Sequence, residues 1–218
     1  MPVEWDVYRV ELEFVREIVG GIPKNPEVIK AWVMSRAKRS GKTEEEAKKL
    51  VEKISEEVDA DVEAEKTWVT FKKDENGLYL EDRNVKAMFR EAFSVLGLFS
   101  GKGAIARKQL FQHGFVIKPW RIYFKRNGKL IREPDGFHER TIHVMTMLGP
   151  RSALKREDYV KPPVTVEFEV WIVKSRGVIT EEHLRDALEV ASEAIGLGAS
   201  RSQGFGRFKV VKFKSKKD

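Results

Sequence analysis

The amino-acid sequence predicts an α+β fold whose core is ferredoxin-like or RRM-like, with the element order β-α-β-β-α-β. An alternating apolar pattern over residues 5–14 predicts the first strand, and a β-branched and aromatic run over 164–173 predicts a later one. Two amphipathic patterns, over 85–96 and 181–195, predict the helices of this core. Two β-hairpins extend the core, and we expect residues 1–218 to form a single domain.

A helical, acidic insertion is predicted within this domain at residues 26–61. Asn25 followed by Pro26 is typical of an N-cap with proline at the first helical position. Thr43 and Glu46 have the spacing of a capping box, which marks the start of a second helix. The predicted helices of the insertion cover residues 26–38 and 44–58.

The remaining elements follow from turn residues and alternation. Asn-Gly pairs at 76–77 and 127–128 predict two tight hairpin turns. Residues 104–111 could form a short helix or an ordered loop. Gly149-Pro150 is expected to end a strand, and residues 155–163 are predicted to be a connector. The other predicted strands cover residues 67–71, 78–80, 115–118, 120–125, 129–132, 139–148 and 205–213.

The composition excludes several classes of protein. The 218 residues include no cysteine, which excludes disulfides and cysteine metal sites. No apolar run has the length of a membrane helix, and the N-terminus lacks the features of a signal peptide, so we expect a cytoplasmic protein without a membrane partner. The four histidines lack the spacing of a zinc helix, and no Walker loop or nucleophile elbow occurs, so we expect no metal and no cofactor.

The charge is distributed unevenly along the chain. The formal net charge is +7, but residues 43–65 contain ten acids and three bases. That segment therefore carries −7, and the rest of the chain carries +14. Residues 92–132 contain nine bases and no acid, and residues 201–218 contain seven bases and one acid. Because a solubilising surface normally mixes both signs, these segments predict a polyanionic partner.

Aromatic residues alternate with bases in the acid-free segment 92–132. Single-stranded nucleic acid is bound by cationic grooves and by stacking of bases on exposed rings, which is the combination this segment offers. The alternative for each ring, including Phe111, Phe115 and Phe124, is an ordinary place in the core. The binding residues predicted here are Lys102, Arg107, Lys108, Lys118, Trp120, Arg121, Tyr123, Lys125 and Arg126.

A glycine-rich loop at residues 196–206 joins the last predicted helix to the last strand. Its four glycines permit positive φ and would allow backbone N–H groups to approach a phosphate. The alternative is a helix C-cap followed by a tight turn, which needs only one or two glycines. The contact residues predicted in the loop are Gly198, Arg201, Gln203, Gly204 and Phe205.

The helix, the G-x-G…G-x-G loop and the terminal strand resemble the C-terminal glycine-rich loop of the RAMP superfamily. The resemblance covers about the last forty residues. It implies a ferredoxin-like fold that binds or processes RNA in CRISPR systems, with subunits that coat a strand head to tail. Residues 146–151 and 21–26 are similar to segments of an uncharacterised phage and prophage family with the same C-terminal loop.

His143 is a weak candidate for a catalytic general base. Metal-independent RNA cleavage needs a base for the 2′-OH and cations for the phosphate, so His143 would act with a nearby lysine or arginine. The histidine of RAMP nucleases that use one commonly lies early in the chain, whereas here no histidine precedes His113. We therefore favour a strand residue facing solvent or a groove over a catalytic role.

The sequence as a whole predicts a non-enzymatic protein that binds single-stranded RNA or DNA. Arg140 and Arg151 could add contacts to the predicted surface. One alternative is a metal-independent endoribonuclease of the RAMP superfamily. Another is a viral structural protein or protein-interaction module whose basic face meets a protein. The expected partners are a single strand and further copies of the chain in a head-to-tail oligomer.

Overall fold

The computed structural model describes residues 3–41, 43–58, 61, 67–146, 149–174 and 178–216. It describes the backbone alone at positions 38, 143–146, 150, 151 and 153. The chain divides into two compact units, and the expectation of one domain over residues 1–218 stays a prediction. Unit 1 comprises Met1–Ile18, Tyr79–Ile131 and Lys161–Asp218, and unit 2 comprises Val19–Leu78 and Arg132–Val160.

The described chain contains both helices and strands. The helices are α1 Pro26–Arg39, α2 Glu44–Val58, α3 Asp82–Val95, α4 Ala104–His113 and α5 Glu181–Val190. The strands are β1 Trp5–Phe14, β2 Ile18–Val19, β3 Ile22–Pro23, β4 Trp68–Thr70, β5 Lys72–Lys73, β6 Leu78–Glu81, β7 Phe115–Lys118, β8 Arg121–Tyr123, β9 Lys125–Arg126, β10 Lys129–Leu130, β11 Gly136–Thr146, β12 Gly149–Val160, β13 Val164–Val173 and β14 Phe208–Ser215.

The sheet of unit 1 has the topology of a ferredoxin-like fold. Its main strands lie in the order β14-β1-β13-β7, and every neighbouring pair is antiparallel. Helix α3 lies between β1 and β7 in chain order, and α5 lies between β13 and β14. The predicted α+β fold and its β-α-β-β-α-β core are therefore confirmed.

One face of this sheet forms the core of unit 1. Val10, Leu12 and Phe14 on β1 are buried, as are Val166 and Phe168 on β13. The residues between them are more exposed, which is the alternation expected of an antiparallel sheet with one solvated face. The period-two pattern of the sequence therefore identified the buried face correctly.

A phenylalanine cluster, defined as Phe89, Phe93, Phe99, Phe111 and Phe115, joins α3 and α4 to β7. Neighbouring ring centroids lie 4.7–6.0 Å apart, and most pairs meet edge to face. Such pairs add about 0.5–1.5 kcal/mol each to the burial of their apolar area. Because Phe111 is the one buried residue of α4, this cluster is what holds α4 in place.

Unit 2 is built on a long antiparallel hairpin of β11 and β12. The pairing extends from Gly136 opposite Tyr159 to Thr146 opposite Gly149. Strand β4 runs parallel to β12, and β3 pairs with β4. Helices α1 and α2 pack against each other around a small apolar core of Ile29, Val33, Ala37, Ala47, Ile54 and Val58. That residues 26–61 are an insertion within one domain stays a prediction.

Strand β12 corrects the prediction for residues 155–163. They were expected to form a connector, but residues 149–160 form one strand, while the preceding strand ends before Gly149 as predicted. Its charged residues obscure the apolar alternation that marks a strand, because in the structure they form ion pairs. Arg156 contacts Glu139 at 2.7 Å, and the carboxylate of Glu157, which is 0% exposed, pairs with Arg140 and Lys155.

Helix α2 carries a buried ion pair to strand β5. The ammonium of Lys72 lies 2.5 Å from a carboxylate oxygen of Glu57, and both side chains are more than nine-tenths buried. Removing one partner of a buried pair is costly because the other charge stays away from water. The acidic helix is therefore held by a specific charge as well as by its apolar stripe.

We expect Glu57→Ala to lower the free energy of unfolding by about 3–5 kcal/mol, since the Lys72 ammonium would lose this carboxylate. Denaturant unfolding of the full chain measures the change. Glu56→Ala is the matched control, because Glu56 precedes it on the same helix and is exposed. Equal losses in the two variants would contradict a stabilising pair, and the double variant E57L/K72M should recover most of the loss.

Candidate nucleic-acid interface

The glycine-rich loop is closed by its own backbone. After a π-helical turn over Ala191–Ile195, the N–H of Leu197 donates to the carbonyl of Gly206 at 2.9 Å. The N–H of Gly206 in turn donates to the carbonyl of Glu17 at 2.8 Å. A Cβ on Gly206 would lie 1.8 Å from the Leu197 carbonyl oxygen. Glycine is therefore required at position 206 by the close approach of two backbone segments.

The predicted contact glycines both lie within the closed segment but in different surroundings. Gly204 has φ +85°, its N–H donates to the carbonyl of Arg201 at 2.9 Å, and a Cβ would lie 2.6 Å from Nη1 of Arg16. Gly198 has φ +97° and lines a cleft of about 400 Å³ together with Ser202. The positive φ accounts for the glycine at 204, since its Cβ would meet only the end of the flexible Arg16 side chain, whereas Gly198 lines the cleft.

One polar side chain of the loop, that of Arg201, already forms an ion pair within the fold. The guanidinium of Arg201 lies 2.8 Å from the carboxylate of Glu91 on α3, and Glu91 also lines the 400 Å³ cleft. Gln203 is exposed and Phe205 is half-buried. An anion in this cleft would have to compete with the Glu91 carboxylate for Arg201, so the loop is not a ready-made phosphate site.

The acid-free segment places its first cations around the start of α4. Gly103, at φ +81°, precedes the helix, and Arg107 donates to the carbonyl of Lys102 at 2.6 Å. Lys102 and Lys108 are exposed. Their ammonium groups face solvent at the edge of unit 1, where phosphate could reach them.

Trp120 is the exposed ring of the predicted basic and aromatic surface. It is 50% exposed, and the guanidinium of Arg121 lies 4.6 Å from its ring centroid. Arg121 also lies 5.2 Å from the ring of Tyr79, and Tyr79 meets Tyr123 edge to face at 5.8 Å. This stack holds an indole ring at the surface beside a cation, which suits base stacking.

The other predicted cations of this segment contact acids, rings or carbonyls. Lys118 lies 3.7 Å from the ring of Trp171, Lys125 lies 3.2 Å from the carboxylate of Glu167, and Arg126 donates to the carbonyl of Lys161 at 2.8 Å. A groove of about 890 Å³ contains Lys118 and Trp120 but also three carboxylates, those of Asp82, Glu167 and Glu169. Negative charge in this groove weakens it as a phosphate site.

The structure corrects the interpretation of several aromatic rings. Phe111, Phe115 and Phe124 are buried and belong to the core, so they are not available to stack on bases. The solvated face of the sheet carries glutamates on its two central strands, including Glu11 on β1 and Glu167 on β13, which lie opposite each other in the register. This face therefore differs from the aromatic platform that RNA-binding sheets present.

A second basic site lies between α3 and α4. Arg83, Lys86 and Arg90 of α3 line a cleft of about 730 Å³ with Lys108 of α4. Of these four residues, only Lys108 was predicted from the sequence. The signal for the others is their spacing, because positions 83, 86 and 90 fall on one face of a helix, away from the core residues Val85, Met88, Phe89, Ala92 and Phe93.

Lys86, which lines this cleft, forms hydrogen bonds with the backbone of α4 and β7. Its ammonium donates to the carbonyl of Phe115 at 2.7 Å and to that of Gln112 at 3.3 Å, and lies 5.5 Å from the ring of Phe111. Burial lowers the pKa of Lys86, and the Asp82 carboxylate opposes this effect. Lys86 thus serves the fold by donating to one carbonyl in the last turn of α4 and to one at the start of β7.

Two predicted site residues lie in unit 2. His143 pairs with Ser152, and Arg151 with Val144, in the β11–β12 hairpin. The side chains of His143 and Arg151 lie outside the described part of the structure, so their roles stay predictions. The similarity over 146–151 extends over positions 147 and 148, which also lie outside it. Among the described residues, no group of histidines and acids could bind a metal, and no helix is long and apolar enough to cross a membrane.

The fold is similar to that of a chain in the cryo-EM structure of the Type III-B Cmr-beta bound to cognate target RNA. The TM-score is 0.51 at 14% sequence identity, and the match covers 97% of this chain and 61% of that chain. This chain thus spans less than two thirds of its neighbour's length, and at this identity the likeness shows the fold alone. No family model and no curated protein matches the sequence.

The glycine loop yields a stability prediction with a matched control. Gly206 and Gly101 have nearly equal φ, +69° and +68°, but a Cβ at 101 would meet open space. We expect Gly101→Ala to cost about 1 kcal/mol from its φ alone. Gly206→Ala should cost about 1–3 kcal/mol more because it also overpacks two backbones.

Thermal and denaturant unfolding measure both changes. Equal destabilisation in the two variants would show that the Leu197–Gly206 approach does not constrain the loop.

Proposed function

We propose that the ferredoxin-like unit 1 binds single-stranded RNA. The observation that supports this most directly is the acid-free segment: from Ala92 to Ile131 it forms part of one compact unit and carries eight bases and no acid. A phosphodiester strand is the polyanion that such a surface attracts regardless of sequence. Single strands are favoured over duplexes because the surface also offers the exposed ring of Trp120.

RNA is proposed over DNA because of the structural neighbour. The similar chain comes from an assembly described as bound to cognate target RNA. The glycine-rich loop and terminal strand also resemble those of the RAMP superfamily. Both likenesses support the same substrate class, although each concerns the fold and loop rather than a shared contact residue.

The proposed contacts follow the exposure of the side chains. Lys102 and Lys129 are exposed, on the approach to α4 and on the β9–β10 hairpin, and would contact phosphates. Trp120 would stack on a base, with Arg121 reinforcing the stack from the other side. Gly198 would let the strand approach the loop cleft. Copies arranged head to tail along one strand are the assembly that the RAMP resemblance implies.

We expect the double charge reversal K102E/K129E to weaken binding of a single-stranded RNA oligonucleotide roughly tenfold or more at moderate salt. The slope of log K against log salt should become shallower by about 0.7 for each phosphate that is no longer neutralised by a lysine. Fluorescence anisotropy across a salt series measures both quantities.

The matched control is K48E/K49E, which makes the same change of charge on exposed residues of α2. It should weaken binding less and leave the slope nearly unchanged, since α2 is already acidic. If both double variants weaken binding equally, net charge alone drives association and the proposed surface is wrong.

We expect Trp120→Ala to weaken binding by about 1–3 kcal/mol, the range of one base–aromatic stack. Trp120→Phe should retain most of the affinity because the ring is kept. The same anisotropy assay applies, with a melting curve for each variant because Arg121 packs on the indole. An Ala variant that binds as tightly as wild type would remove Trp120 from the interface.

A further inference from the structure

The cleft between α3 and α4 is a separate site with its own chemistry. It has a volume of about 730 Å³, within the range of pockets that hold small organic ligands. Among the residues that the structure describes, four cationic side chains line it and no carboxylate does. The cleft is therefore unlike the groove at Trp120 and the cleft at the glycine loop, each of which contains acids.

One wall of the cleft is aromatic. Phe99 and Phe111 both line it, and their ring centroids lie 5.5 Å apart. Phe99 is also fixed by an edge-to-face contact with Phe93 at 5.8 Å. Phe111 is buried while Phe99 is half-buried, so Phe99 offers a held but accessible ring at the border of the cavity.

The four cations have different roles. Arg83 pairs with Glu81 at the start of α3, and Lys86 donates to the carbonyls of Gln112 on α4 and Phe115 on β7. Arg90 and Lys108, by contrast, make no ion pair within the part of the chain that the structure describes. These two side chains, one from each helix, supply uncompensated positive charge to the cleft.

We propose that this cleft binds a nucleoside phosphate, with Arg90 and Lys108 contacting the phosphate and Phe99 contacting the base. A ligand with a flat ring and a compact anion matches a cavity that combines an aromatic wall with cations. Inorganic phosphate would leave the aromatic wall unused, and an apolar ligand would leave two cations buried against it. The nucleotide could be free in solution or part of a strand, and the chemistry of recognition is the same.

Isothermal titration of the full chain with the four nucleoside 5′-monophosphates, with inorganic phosphate and with adenosine tests this proposal. We expect at least one monophosphate to bind more tightly than phosphate or adenosine. Arg90→Gln and Lys108→Gln should each weaken it about tenfold, the effect of losing a hydrogen bond to a charged group. Phe99→Leu should weaken the monophosphate but not inorganic phosphate.

The K102E/K129E variant is the control that separates this site from the RNA surface proposed above. It should bind the monophosphate with wild-type affinity, even at salt concentrations at which it no longer binds single-stranded RNA.

A competition experiment identifies the source of the nucleotide. Displacement of the monophosphate by a single-stranded RNA oligonucleotide would identify the ligand as a nucleotide of the strand, and simultaneous binding would identify it as a free nucleotide. Absence of monophosphate binding, or binding unchanged in Arg90→Gln and Lys108→Gln, would overturn the proposal. Equal affinity for inorganic phosphate would overturn the nucleotide class.

Discussion

The phenylalanine cluster is the packing constraint on which the basic surfaces of unit 1 depend. Helix α4 has a single buried residue, Phe111, and it lies among the rings of α3 and β7. Replacing a buried phenylalanine by alanine typically costs about 3–5 kcal/mol, which is comparable to everything else that holds a helix of ten residues. If these rings did not pack, α4 would leave α3 and the cleft between them would not exist.

This arrangement explains how the chain carries a dense basic segment and still folds. Part of the acid-free segment, including Phe111, Phe115 and Phe124, is buried in the core, whereas Lys102, Lys108 and Lys129 are exposed. Like charges placed together destabilise a compact state, and the fold relieves this with carbonyls, rings and the carboxylate of Glu167, which contacts Lys125. Arg126 donates to the carbonyl of Lys161, Arg121 packs on Trp120, and Lys118 lies over Trp171.

The alternation and turn signals were sufficient to predict the ferredoxin-like core from the sequence, because its strands bury one face and its helices one stripe. The strand over residues 149–160 was not predictable in the same way. Its charges pair with residues on β11, and pairing across a hairpin leaves no periodic signal in either strand alone. The helical state of residues 104–111 was left open because a single buried residue gives no amphipathic pattern.

The candidate site was less predictable because charge in a sequence does not reveal what each cation contacts. Lys125 and Arg201 look alike as exposed bases in the sequence, yet both face a glutamate in the structure. Arg90 was not predicted as a binding residue because it lies on a helix that also carries acids. Whether a cation is neutralised depends on its neighbours in space. Only the fold could therefore distinguish the cations that contact a carboxylate from those that do not.

The glycine-rich loop shows how the same residues satisfy a structural and a functional interpretation. The sequence alone left both open, since four glycines exceed what a helix cap requires. The structure accounts for Gly206 by close packing against the Leu197 carbonyl and for Gly204 by its φ of +85°. Gly198 borders a cleft instead. A role in binding is therefore sought at Gly198 and the donors around it, because Gly198 lines the cleft, while its φ of +97° favours glycine there as it does at Gly204.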